Sequence, residues 1–146
     1  MPTEKVLAIP ALMNLYNKTK MKNIITTLLV FLSLFIFSQT SKNVDAATFK
    51  KLIDENKSLL IDLRTTDEIK TKGMIPGAIQ IDFLSKEAEK EIDKLDKNKP
   101  YLIYCAGGGR SSDCAELMEK KGFKKVINLS KGFDDWKKKG FAVETK

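Results

Sequence analysis

The sequence contains no histidine. That absence removes Ser-His-Asp triads, papain-type Cys-His pairs and imidazole proton shuttles near neutral pH. It also removes zinc sites that use histidine. Cysteine is scarce. Cys105 and Cys114 are too few for a four-cysteine zinc site or an iron–sulfur cluster, so no metal site is expected. Any catalysis must use thiol, carboxylate, lysine, arginine, hydroxyl or backbone groups. There is no internal repeat, no low-complexity tract, and no interleaving of aromatic and basic residues that would point to nucleic acid.

What is present divides near residue 40. The 146 residues suit one domain of ordinary size. Residues 24–37, IITTLLVFLSLFIF, carry no charge. A membrane-spanning helix needs about 20 apolar residues, whereas about 10–14 suit the core of a signal peptide. Read from Met21, the segment has a basic start at Lys22, an apolar core and polar residues at Ser38-Gln39. Residues 21–38 are therefore expected to be a secretory signal cut between Ser38 and Gln39, giving a periplasmic or secreted protein; an uncleaved membrane anchor is the alternative. Residues 1–20 then form an upstream extension and residues 39–43 a linker. Beyond residue 38 the chain has 22 basic and 18 acidic residues, so its net charge is +4 against +7 for the whole. These charges are interspersed, as in KEAEKEIDKLDKNK, which is the pattern of a solvated surface.

The rest alternates two textures. A helical run opens at Val44-Asp45-Ala46-Ala47, with Phe49, Leu52 and Ile53 at helical spacing. Leu59 to Leu63 is a short apolar run, as for a strand buried on both faces. Thr66 to Lys70 reads as a short helix capped by Thr. Ile75-Pro76-Gly77 is a turn, and Ala78 to Ile81 a further strand. Leu84 to Leu95 reads as an amphipathic helix, with Leu84, Ala88, Ile92 and Leu95 on one side. Tyr101 to Tyr104 is the best strand in the chain. A glycine loop, a helix over Ser111–Lys120 closed by Gly122, a strand over Val126–Leu129 and a helix over Phe133–Lys139 follow. The alternation predicts an α/β fold with a mostly parallel sheet.

In such folds ligands bind at the carboxyl ends of the strands. The loop Cys105-Ala106-Gly107-Gly108-Gly109-Arg110-Ser111 lies there, and it holds three of the eight glycines. Glycine lets backbone amides turn inward around one point. A helix starts directly afterwards with its positive end at that point. A cup of N–H groups, a helix N-terminus and an arginine all stabilise a thiolate, or an anion bonded to its sulfur. Cys105 is the candidate nucleophile, and Ala106, Gly107, Gly108, Gly109 and Arg110 are the candidate substrate-binding residues. The loop is not a phosphate-binding P-loop, which needs Gly-Lys-Ser/Thr at other spacing. Cys114, within the helix beside Ala115 and Leu117, reads as core packing; its alternative is a resolving thiol for Cys105. Asp62 and Arg64 read as structural residues near the rim, with Arg64 and Glu68 able to pair at i,i+4 spacing. Phe133 and Trp136 read as core, and Lys137–Lys139 as a solvated face.

From about Val44 to Glu144 the sequence resembles single-domain rhodanese-like proteins. Ile61-Asp62-Leu63-Arg64 followed by Glu68 resembles the family's Asp-x-Arg-x-x-x-Glu element. Gly73-Met74-Ile75-Pro76-Gly77-Ala78 resembles its Gly-His-Ile-Pro-Gly-Ala element. Tyr104-Cys105 through Arg110-Ser111 resembles the active-site loop, and Gly122-Phe123 to Leu129 with Gly132 and Trp136 resembles the closing strand and helix. The resemblance implies a rhodanese-like domain over 44–144, with a mostly parallel five-stranded sheet flanked by helices on both faces. It also implies a sulfurtransferase. Cys105 would take sulfane sulfur from thiosulfate or a persulfide donor, hold it as a covalent persulfide with no other cofactor, and pass it to cyanide, a small thiol or a protein thiol. The Cys-x4-Arg loop is the sulfurtransferase form. Phosphatases of this fold use Cys-x5-Arg and need a general acid, for which Asp113 is only a remote candidate. Met74 replaces the usual His, Lys131-Gly132 replaces Gly-Gly, and Ala106 stands where many members carry a second arginine. That last change weakens the case for thiosulfate and favours a persulfide donor. The competing classes are a non-catalytic binding module and a periplasmic thiol redox protein using Cys105 with Cys114. For the leader, N-terminal sequencing should find unprocessed chain beginning at Met21 and mature chain at Gln39; precursor beginning at Met1 would refute that start.

Overall fold

The computed structural model describes residues 13–14, 16–18, 20–22 and 41–145. The chain divides into two units, Met1–Ser38 and Gln39–Lys146. In the first, the described residues are helical, and the Lys20 ammonium sits 5.6 Å from the centre of the Tyr16 ring. The apolar run 24–37 and the expected cleavage position lie outside the described residues.

In the second unit five strands form one sheet: β1 (Ser41–Val44), β2 (Leu59–Asp62), β3 (Ile79–Gln80), β4 (Pro100–Tyr104) and β5 (Lys125–Leu129). Their order is β1-β5-β4-β2-β3, and every neighbouring pair is parallel. Parallel strands need crossovers, which here carry α1 (Ala46–Asp54), α2 (Thr66–Lys72), α3 (Ala88–Asp93) and α4 (Gly109–Lys120); α5 (Gly132–Lys138) follows β5. Strand side chains alternate between the two faces. Leu60, Leu102, Tyr104, Ile127 and Leu129 pack with Phe49 of α1, Ile69 of α2, and Phe133 and Trp136 of α5. Ile61, Tyr101, Ile103 and Val126 pack on the other face with Ala88 and Ile92 of α3 and Cys114, Ala115 and Met118 of α4. The sheet is therefore covered by helices on both sides, and this explains why its central strands β2 and β4 read as largely apolar runs. Fully burying a Leu, Ile or Phe side chain stabilises by about 1.5–3 kcal/mol, against roughly 1 kcal/mol for a helix cap. These short helices thus depend on the apolar layers more than on their own ends.

Three local readings of the sequence change. The expected linker over 39–43 contributes Ser41–Asn43 to β1, which runs on to Val44 and pairs in register from Ser41↔Val126 to Val44↔Leu129. Its polar residues hide it, because an edge strand is held by backbone pairing and only Val44 is buried. The following helix starts after Asp45, whose side chain accepts the Thr48 amide at 2.7 Å and whose carboxyl is thereby held below its usual range. The helix expected over Leu84–Leu95 contracts to Ala88–Asp93: Asp82 binds the Leu84 amide in a turn, and Leu84 is 66% exposed. The cap of α2 is Thr65, not Thr66. Its hydroxyl accepts the Glu68 amide, and the Glu68 carboxylate accepts the Thr65 amide, closing a capping box.

A charged pair lies in this core. Asp62 ends β2, and Arg64 follows two residues later; both side chains are 0% exposed. Arg64 Nε and Nη2 donate to the Asp62 carboxylate at 3.0 and 2.6 Å, and Nη2 also donates to the Gly73 carbonyl at 2.7 Å. The guanidinium carbon lies 3.9 Å from the centre of the Phe133 ring, so its remaining charge meets an aromatic face. Tyr104, 5.7 Å from the same guanidinium by ring centre, accepts the Ile75 amide on its hydroxyl at 3.0 Å. Burial first, and Asp62 second, push that phenol well above its usual range, so it stays protonated. The expected Arg64–Glu68 pairing does not form, because Arg64 turns inward to Asp62. Arg64→Met should destabilise the domain by about 3–5 kcal/mol in urea unfolding, since it strands a buried carboxylate; a loss under about 1 kcal/mol would contradict this reading of the pair.

Candidate active site

Cys105 follows the last residue of β4 and is 1% exposed. The Gly108 amide donates to its Sγ at 3.1 Å, and the Ser111 hydroxyl lies 3.4 Å from Sγ and 3.1 Å from the Gly108 carbonyl. Gly108 is the N-cap of α4 and has φ +101°, with no side chain capping that end. The sulfur thus sits at the open N-terminus of the twelve-residue α4, where the helix dipole and unpaired amides favour negative charge.

Backbone contacts set the loop's path. The first amides of α5 hold it from behind: Phe133 N–H donates to the Cys105 carbonyl at 2.8 Å, and Asp134 N–H to the Ala106 carbonyl at 3.0 Å. Gly132, at φ +61°, makes this possible, because a Cβ there would run into the Ala106 carbonyl oxygen. A Cβ on Gly108 would likewise strike the Ser130 carbonyl oxygen. Ser130 is itself tied to β1, its amide and hydroxyl both donating to the Val44 carbonyl at 3.0 Å. The Lys131-Gly132 pair thus keeps the one glycine that the close approach requires.

Arg110, in the first turn of α4, faces Glu68 of α2. Nη1 donates to Oε2 at 2.8 Å and Nη2 to Oε1 at 2.6 Å, a two-pronged pair with side chains 22% and 29% exposed. The Arg110 hydrogen bonds, opposed by partial burial and helped by the Thr65 amide, hold the Glu68 carboxyl at about 2. Glu68 in turn raises Arg110, with smaller contributions from Cys105 and Asp82.

Of the residues picked out by sequence, Cys105, Gly108 and Arg110 converge on this point, with Ala106 joined to α5 through its carbonyl. A Cβ on Gly107 or Gly109 would meet open space. Cys114 lies in the core on the α4 side, 0% exposed, and burial pushes its thiol up to about 12. Both cysteines are free. Sequence reasoning missed Ser111 as a neighbour of the sulfur, although a helix starting at Gly109 places residue 111 in the first turn. It also missed Glu68 as the partner of Arg110, for which a separation of 42 residues gives no local signal. A cavity of about 200 Å³, lined by Ile53, Leu60, Pro76 and Leu102 among others, shares no residue with the cysteine loop.

A parallel α/β sheet with a thiol at a strand's carboxyl end, under a helix N-terminus, defines a class of domain, and comparison with known proteins places the chain within it. A sequence profile described as a rhodanese-like domain matches residues 45–139. The putative sulfur carrier protein YrkF of Bacillus subtilis is 38% identical over 94 residues, covering 64% of this chain and 49% of YrkF. The chain thus spans about half the length of that relative. The putative sulfurtransferase YtwF of the same organism is 33% identical over 96 residues, covering 65% of this chain and 89% of YtwF. The polysulfide-sulfur transferase homodimer from Wolinella succinogenes has a similar structure, with TM-score 0.62 and 26% identity over 71% of this chain and 78% of that one. The chain belongs to the rhodanese-like family, and its relatives include proteins named as sulfurtransferases.

The lowered Glu68 carboxyl links the pair to stability. A depressed carboxyl stabilises the fold above its unfolded value near 4.5, and that contribution is lost as pH falls through about 2. Wild type should therefore lose more stability than Glu68→Gln between those two values, measured as the shift in urea midpoint; parallel pH profiles would show that the pair is not held in solution.

Proposed function

We propose that this protein is a sulfurtransferase that carries sulfane sulfur as a persulfide on Cys105. The observation that carries this reading is the Cys105 sulfur at the N-terminus of α4, receiving the Gly108 amide. The thiolate attacks the outer sulfur of thiosulfate or of a persulfide. The donor's S–S bond breaks, and sulfite or a thiolate leaves with the electron pair. The new Cys105–S–S⁻ anion is stabilised by the loop amides and the helix dipole. Cyanide, a small thiol or a protein thiol then attacks the outer sulfur and returns the Cys105 thiolate. The two half-reactions exchange one sulfur and need no external oxidant, and they predict ping-pong kinetics. No imidazole is required, because the attacking group is a thiolate and the leaving groups are anions stable in water.

Ser111 supports the same anion through its hydroxyl. Arg110 orients the loop through Glu68 in this arrangement rather than reaching outward. A resolving role for Cys114 is disfavoured by its burial and by a thiol held up at about 12. The relatives named as sulfurtransferases support the reaction class. The signal-like segment 21–38 supports action outside the cytoplasm.

Mass spectrometry after treatment with thiosulfate or a persulfide tests this reading. The Cys105 peptide should gain one sulfur. Loss of two hydrogens without sulfur gain would point to a Cys105–Cys114 disulfide instead, and no change with either donor would favour a binding module. Cys105→Ser should abolish cyanide-dependent thiocyanate formation, while Cys114→Ser should retain most of it; the opposite pattern would overturn the assignment of the nucleophile.

A further inference from the structure

The charge around Cys105 suits one class of donor better than another, an inference that rests on the sulfurtransferase reading above. The loop brings one cationic side chain, Arg110, and both of its terminal nitrogens are bonded to the Glu68 carboxylate. Asp82 adds negative charge to the field that Arg110 feels, and Arg110 in turn feels Cys105. The residue after the nucleophile is Ala106, which brings no charge. Lys72 of α2 pairs with Asp134 at 3.4 Å, and Lys131 is exposed. Positive potential at the sulfur therefore comes mainly from the α4 N-terminus and the Gly108 amide, which together amount to a fraction of one charge.

Thiosulfate is a dianion, its attacker is a thiolate, and its leaving group, sulfite, is again an anion. A free cation close by would lower the cost of bringing these together. A persulfide carries at most one negative charge, is neutral in the protonated form R–S–SH that a thiolate attacks, and releases a single thiolate. We propose that the Glu68–Arg110 pair makes this site selective for persulfide donors over thiosulfate, with Glu68 withdrawing the guanidinium charge that a dianion would need. In the selected reaction the Cys105 thiolate forms a bond to the outer sulfur of R–S–SH. The donor's S–S bond breaks, R–S⁻ leaves with the electron pair and takes up the proton that the outer sulfur gives up, and the Cys105–S–S⁻ anion remains. Glu68 acts here as a positioning residue through Arg110.

The test measures how fast the Cys105 peptide of the full chain gains sulfur from thiosulfate or from cysteine persulfide, in wild type and in Glu68→Gln. Gln keeps the acceptor that the Thr65 amide uses and removes only the charge. Wild type should load faster from cysteine persulfide. Glu68→Gln should speed loading from thiosulfate by about tenfold and change persulfide loading much less, since one unit charge a few ångströms from a dianion is worth about that factor. Raising ionic strength should speed wild-type loading from thiosulfate by screening like charges, a readout that needs no variant and that a merely structural role would not move. Faster wild-type loading from thiosulfate, or an equal slowing of both donors in Glu68→Gln, would overturn this proposal alone. Failure of both donors to load wild type would overturn the sulfurtransferase reading together with it.

Discussion

The buried Asp62–Arg64 pair is the constraint on which the rest of the site rests. A guanidinium with no exposure is expensive to desolvate, and it persists here because Nε, Nη2 and its ring face are engaged, while Nη1 is buried without a hydrogen-bond partner. Asp62 takes two of its nitrogens, the Gly73 carbonyl shares one of them, and the Phe133 ring covers its face. Those contacts join the end of β2, the C-terminal cap of α2 and the first turn of α5. That same turn of α5 holds the carbonyls of Cys105 and Ala106. An ion pair that adds little net stability therefore specifies where the cysteine loop runs, by making other arrangements of these segments leave a charge unpaired.

Two ion pairs divide the electrostatic work between them. The inner one, Asp62–Arg64, is dry and structural. The outer one, Glu68–Arg110, is partly exposed and sits beside the thiol. Both cations of the local motifs thus face carboxylates, and the sulfur meets backbone dipoles and the Ser111 hydroxyl. For the proposed persulfide this arrangement is favourable, because amides pinned by Gly108 and by the α5 clasp would need little reorganisation when charge arrives.

Much of the fold and of the site was legible. The runs that became β2, β4 and β5 were readable because strands buried on both faces are mostly apolar, with Asp62 and Asn128 as the buried polar exceptions. The Cys105 loop was readable because clustered glycines before a helix have few structural uses. Ser41–Asn43 was not, because an edge strand is defined by its partner's backbone and its own side chains stay outside. Leu84 misled because helical spacing persists in a segment whose turn is set by Asp82. The partners of Arg64 and Glu68 misled because i,i+4 spacing favours a local pair that burial overrides.

The amino-acid sequence by itself determined the alternation of strand and helix, the thiol at a strand end, and the absence of any imidazole to serve it. These are local properties: periodicity, glycine placement and composition do not depend on distant segments. Only the tertiary structure decided which carboxylate each arginine meets, which amide reaches the sulfur, and that Cys114 lies sealed in the core. Those outcomes depend on the parallel crossovers that carry α2, α4 and α5 back to neighbouring strand ends, bringing together residues far apart along the chain. Charge pairing is won there by proximity in space and by the cost of leaving a buried charge alone.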